Sequence, residues 1–102
     1  MNYANHIGYS DVNPFEIIRR VSDKTLDLRA MNAERDPNWN PDFVPGGFFG
    51  TVVNQSEQKW VIKSNEAGRT VRIRLGKRGW KDAHGNRYQL SDEPVKFYDY
   101  NF

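Results

Sequence analysis

Turn signals recur along this chain roughly every 8–12 residues, and the stretches between them alternate apolar with polar side chains, which is the pattern of short antiparallel strands. Thr70 to Leu75 is the clearest case, with Val71, Ile73 and Leu75 on one face and Arg72 and Arg74 on the other. Leu26, Leu28 and Ala30 alternate within Thr25 to Met31, and Trp60 and Ile62 alternate with Lys59, Val61 and Lys63 within Gln58 to Ser64. Phe48 to Asn54, a short arm at Trp80, a return through Tyr88 and Leu90, and Val95 to Tyr100 complete a meander. Residues 15–22 fit two descriptions: a strand with Arg19 as misfit, or a two-turn helix capped by Asn13. A helix that short is marginal alone, so a hairpin over 15–31, turning at Ser22-Asp23-Lys24, is expected. The sum is a mainly β chain: a small SH3-like or similar half-open barrel, or a bent antiparallel sheet. Such folds host many unrelated functions, so function must be argued from side chains.

At 102 residues the chain has room for one domain and one core. Two segments fall outside the strand pattern. Residues 1–13 show no period and read as an N-terminal arm. Residues 32–47 carry Pro37, Pro41 and Pro45 and end on a Pro-Gly-Gly turn signal, which makes them a long loop. Long loops in small domains are either functional or pinned by their own side chains.

Several chemistries are missing. With no Cys there is no disulfide scaffold, thiolate zinc site or thiol nucleophile, and a reducing, cytoplasmic setting fits. No apolar run approaches the ~20 residues of a membrane span. His6 and His84 have no ligand partners at metal-binding spacing, and Gly76-Lys77-Arg78-Gly79 lacks the spacing of a phosphate loop. Asp36, Asn38, Asn40 and Asp42 repeat the opening of a calcium loop, but Pro41 and Gly47 stand where its glycine and bidentate glutamate belong. Pairing His84 with Asp82 as base and orienter would still need a nucleophile and a pocket. The expectation is a protein that is not an enzyme and carries no metal or cofactor.

Two binding readings remain. The first engages another macromolecule, most simply a host or phage protein, through Trp39 and Phe43 of the long loop and Tyr98 and Tyr100 of the aromatic C-terminus. Tyr and Trp suit such surfaces because each joins an apolar body to a polar tip; a homodimer through the same residues is compatible with the sequence. The second engages DNA or RNA. Arg69, Arg72, Arg74, Lys77, Arg78 and Lys81 fall in one stretch without an acidic side chain, beside Trp80, although the net charge is only +2. Guanidinium groups on a strand face match phosphates, and Trp80 would stack on a base.

A set of blocks spans nearly the whole chain: Gly8-Tyr9-Ser10-Asp11, Asn13-Pro14-Phe15-Glu16, Pro45-Gly46-Gly47-Phe48, Gln58-Lys59-Trp60, Gly79-Trp80-Lys81-Asp82 and Phe97-Tyr98-Asp99-Tyr100-Asn101-Phe102. Together they resemble a group of small uncharacterised proteins carried by bacteriophages and prophages. The resemblance implies a bacterial or phage cytoplasmic context and an accessory role acting on host or phage macromolecules. It carries no activity and no functional residue.

Overall fold

The computed structural model describes residues 1–44, 51–52 and 54–99, and of residues 43, 44, 51 and 52 the backbone alone. It is mainly β. Among the described residues ten strands follow in order: β1 (Tyr3–Ile7), β2 (Val12–Ser22), β3 (Thr25–Ala30), β4 (Asn32–Arg35), β5 (Phe43–Val44), β6 (Thr51–Val52), β7 (Trp60–Lys63), β8 (Thr70–Gly76), β9 (Gly79–Lys81) and β10 (Arg87–Ser91). Six of them close a barrel in the order β1-β10-β9-β8-β3-β2, every neighbouring pair antiparallel. The expected mainly β barrel is therefore present, and it is closed. β4 with β7, and β5 with β6, form two separate two-stranded ribbons.

Closure depends on the segment read as an arm. Residues 3–7 are a barrel strand, paired with β2 on one side (Ala4 opposite Phe15) and with β10 on the other (Ala4 opposite Leu90). The period was hidden because the face of β1 away from the core carries Asn5, which is 4% exposed and covered by the C-terminal segment. The hairpin over 15–31 forms as expected, with β2 and β3 joined at Asp23-Lys24. The misfit at Arg19 comes from two register shifts, between Ile17 and Arg19 and between Arg20 and Ser22. They leave Ile18 and Val21 exposed and break the alternation. Bulges bend a strand and raise its twist; β2 pairs with β1 through Val12 to Glu16 and with β3 through Phe15 to Ser22, so Phe15 and Glu16 have a partner on both sides.

The core is small. Ala4, Phe15, Leu26, Leu28, Ile73 and Tyr88 are buried, and Ile17, Ala30, Val71, Trp80 and Leu90 pack against them. Phe15 meets Tyr88 edge to face, with ring centroids 5.5 Å apart. Gly68 sits where the loop before β8 crosses β3, its neighbour Arg69 accepting a 2.8 Å hydrogen bond from the Ala30 amide. A side chain at Gly68 would run into the Ala30 carbonyl, so only glycine permits this approach.

Two further expectations change. Within residues 32–47, β4 and β5 are strands rather than loop. Val95 to Tyr100 is not a strand over its described residues. It forms a single bridge, Val12 with Phe97, and is otherwise held by side chains. Asn5 accepts the Val95 amide and donates to the Glu93 carbonyl; Asp11 accepts the Asp99 amide; Gln58 brackets Tyr98 through both its amide and its carbonyl. The segment is a strap over the outside of β1 and β2. Of the strand expected at Phe48 to Asn54, only Thr51–Val52 lies in a described strand, and residues 45–50 and 53 lie outside the described residues.

Candidate nucleic-acid interface

β8 and β9 turn through Lys77 and Arg78, with Gly76 opposite Gly79. The positive φ that so tight a connection needs falls on Gly79, at +94°, a region open to glycine without steric cost. Because opposed residues of antiparallel strands share a face, the register places cations side by side. Arg74 of β8 opposes Lys81 of β9, and Lys81 opposes Arg87 of β10. Three positive groups thus cross the outer wall in one row, and Lys77 and Arg78 extend the charge to the hairpin tip. Arg74, Lys77, Arg78 and Lys81 line a shallow groove of about 590 Å³ together with Leu75, Gly76, Gly79 and Ala83. None of these four cations, nor Arg87, makes an ion pair among the described residues.

Asp82 also lines this groove, and its carboxylate is taken up by four hydrogen bonds. Asp82 organises the 82–86 turn, accepting from the backbone N–H of His84 (2.9 Å) and Asn86 (3.0 Å), the Asn86 amide (2.9 Å) and the Tyr88 hydroxyl (3.0 Å). Burial pushes its carboxyl pKa up, but these hydrogen bonds outweigh burial and hold it below the usual carboxylate range. The contact of His84 with Asp82 is through backbone, so no base and orienter pair is assembled there. Burial and the same hydrogen bond raise the Tyr88 phenol, which stays a neutral donor.

Of the rest of the basic stretch, Arg72 lines the same groove and Arg69 and Trp80 do not. Arg72 is held bidentate by Asp27 on β3, at 2.7 and 3.1 Å, so much of its charge is answered within the sheet. That hydrogen bonding lowers the Asp27 pKa and raises that of Arg72. Arg69 lies away from the groove, 5.7 Å over the Phe15 ring. Trp80 opposes Leu75 and packs against the core, so it does not stand on the basic face beside Lys81. Arg87 was missed in the sequence because Asp82 separates it from the basic stretch; only the β9–β10 register brings it into the row.

The aromatic set separates as well. Trp39 is buried, 6% exposed, and its amide donates to the Asp36 carbonyl at 3.0 Å, so the ring is packed rather than offered. Phe43 lies in β5, opposite Val52; its side chain, and Tyr100 altogether, lie outside the described residues. Tyr98 is 46% exposed. In the Asp36 to Asp42 segment the Asp36 side chain accepts the Asn38 amide, and the Asn54 side chain bridges the Asn40 carbonyl and the Asp42 amide. Among the described residues no group of three acidic or histidine side chains could hold a metal ion, and no helix is long and apolar enough to cross a membrane. No family model, curated protein or solved structure matches this chain.

Proposed function

We propose that the chain is a non-catalytic binding module that tracks the phosphate backbone of a nucleic acid across the outer wall of β8, β9 and β10, in the cytoplasm of a bacterial or phage-infected cell. The observation that carries this reading is the in-register row Arg74, Lys81 and Arg87, extended by Lys77 and Arg78 at the hairpin tip, none of them in an ion pair among the described residues. Such a row recognises charge and spacing, not sequence. With Trp80 turned inward, base stacking is not part of the reading, so affinity is modest and salt-sensitive.

The test is anisotropy with labelled single-stranded DNA and RNA across a salt series. About four phosphate contacts give a slope of log affinity against log salt of roughly −3, at about −0.7 per contact on a single strand. Arg74→Glu with Lys81→Glu should abolish retention and leave the unfolding midpoint nearly unchanged, because both side chains lie outside the core. Arg72→Glu is a poor substitute, since it would also remove the ion pair of Arg72 with Asp27. No retention of either nucleic acid at ~50 mM salt, where these contacts are strong, overturns the reading.

A protein partner is the second reading, favoured by one observation. Tyr9 is 94% exposed in the β1–β2 turn, and Val95 and Tyr98 are exposed on the strap that crosses the same strands. Retention of a host or phage protein that is lost in Tyr98→Ser, with no nucleic-acid binding, would favour it.

A further inference from the structure

At one mouth of the barrel, away from the basic wall, lies a pocket of about 350 Å³. Its apolar lining includes Phe15, Ala30, Met31 and Ala33, and His6, Asn13 and two cations, Arg69 and Lys96, also line it. Among the described residues neither cation has an anionic partner in contact. Arg69 rests on the Phe15 ring. Lys96 sits 5.6 Å over the Trp60 ring and donates to the neutral Asn13 amide oxygen at 2.6 Å. No acidic side chain lines the pocket. Asp11 acts on Lys96 from a distance, but its Oδ1 already accepts the Asp99 amide.

We propose that this mouth binds a small organic anion, its carboxylate or phosphate head between Arg69 and Lys96 and its short apolar body against Phe15, Ala30 and Met31. Barrel mouths are common ligand sites, and a mainly apolar lining with a few convergent polar groups is their usual make-up. Arg69 is exposed and Lys96 half-buried, and both border the same pocket. An anion between them gains charge-assisted hydrogen bonds from both. Burial lowers the Lys96 ammonium pKa, and the charge of Asp11 offsets this only in part. The apolar floor separates this site from the wall groove: a bare phosphate gains nothing from Phe15, and a polymer backbone does not fit a pocket of this size.

The test uses the full ¹⁵N-labelled chain, titrated separately with benzoate, benzyl alcohol and inorganic phosphate. Benzoate should shift the amides of Phe15, Ala30 and Arg69 saturably, with millimolar affinity or better. Benzyl alcohol, the same body without the charge, and phosphate, the charge without the body, should each bind at least about tenfold more weakly, a difference of about 1.4 kcal/mol. Arg69→Gln and Lys96→Gln should each weaken benzoate about tenfold and leave benzyl alcohol unchanged. If the amide spectrum shows either variant unfolded, Ala33→Trp, which fills the pocket from β4 without removing charge, decides by abolishing benzoate binding or leaving it intact. Unsaturable shifts, equal binding of the alcohol, phosphate binding as tight as benzoate, or shifts centred on Arg74, Lys81 and Arg87 would each overturn the proposal.

Discussion

Trp39 shows how one side chain reads differently before and after its burial is known. In sequence it is an aromatic among prolines, equally suited to be an anchor for a partner or a pin for its own loop. Burial to 6% makes it the pin. Trp39→Ala should therefore cost about 3–5 kcal/mol, as removal of a large buried aromatic does. A urea midpoint unchanged from the parent would return Trp39 to the partner-binding reading. Asp82 is the second residue whose role is set by what surrounds it. Its carboxyl is held below the usual range in the folded chain, so its stabilisation is fully present above the unfolded pKa of about 3.9. That stabilisation is lost as pH falls through the lower folded value. Glu16, paired with Arg29, and Asp27, paired with Arg72, are also depressed and act in the same acid window. Asp82→Asn should thus be less stable at neutral pH, because it sets an amide N–H against the donors of Asn86 or Tyr88. Its loss of stability on acidification should also be shallower than the parent's. Urea unfolding at several pH values checks both, and an unaltered acid limb would mean that Asp82 contributes nothing to it.

At the scale of elements, period and punctuation made β3, β7 and β8 legible. Burial alternates along β7, along β3 through Leu28 and along β8 through Ile73, although Leu75 at the end of β8 is exposed. Elements whose partners lie far away in sequence were not. The two bulges of β2 reverse its alternation part way along. β1 has its outer face hidden under the strap, and the strap is held by side chains that no local pattern reveals. The candidate site divides in the same way: Arg74 and Lys81 were visible as neighbours in a basic run, whereas Arg87 joins them only through strand register. The strap depends on Asn5, whose side chain both donates and accepts across 88 and 90 residues of sequence. Asn5→Ala leaves the Val95 amide and the Glu93 carbonyl without that partner, a cost of about 1–3 kcal/mol where solvent does not replace it. Amide exchange should accelerate at Val95 and Phe97 while β3 and β8 keep their protection. Uniform acceleration across the barrel would instead make the strap part of its cooperative unit.

For the whole molecule the decisive contact is between β1 and β10, which joins Tyr3–Ile7 to Arg87–Ser91 and removes the last open edge of the sheet. All other barrel pairings connect strands closer together in sequence. Bringing β1 to β10 closes a loop of most of the chain, whose entropy must be met before the pairing returns anything. The gain is that the barrel strands present no long unpaired edge, the usual route by which β proteins associate wrongly. Removing residues 1–7 should therefore do more than trim an arm. It would strip both the β2 and β10 edges of their partner, uncover Phe15 and Tyr88, which pack beside Ala4, and release the Asn5 hold on the strap. The shortened chain should elute as oligomers or aggregate at concentrations where the parent runs as a single species, and it should bind an apolar dye that the parent does not. A monomeric deletion variant with the parent's unfolding midpoint would mean that the other five strands close on themselves, so that β1 is an addition to the barrel and not its keystone.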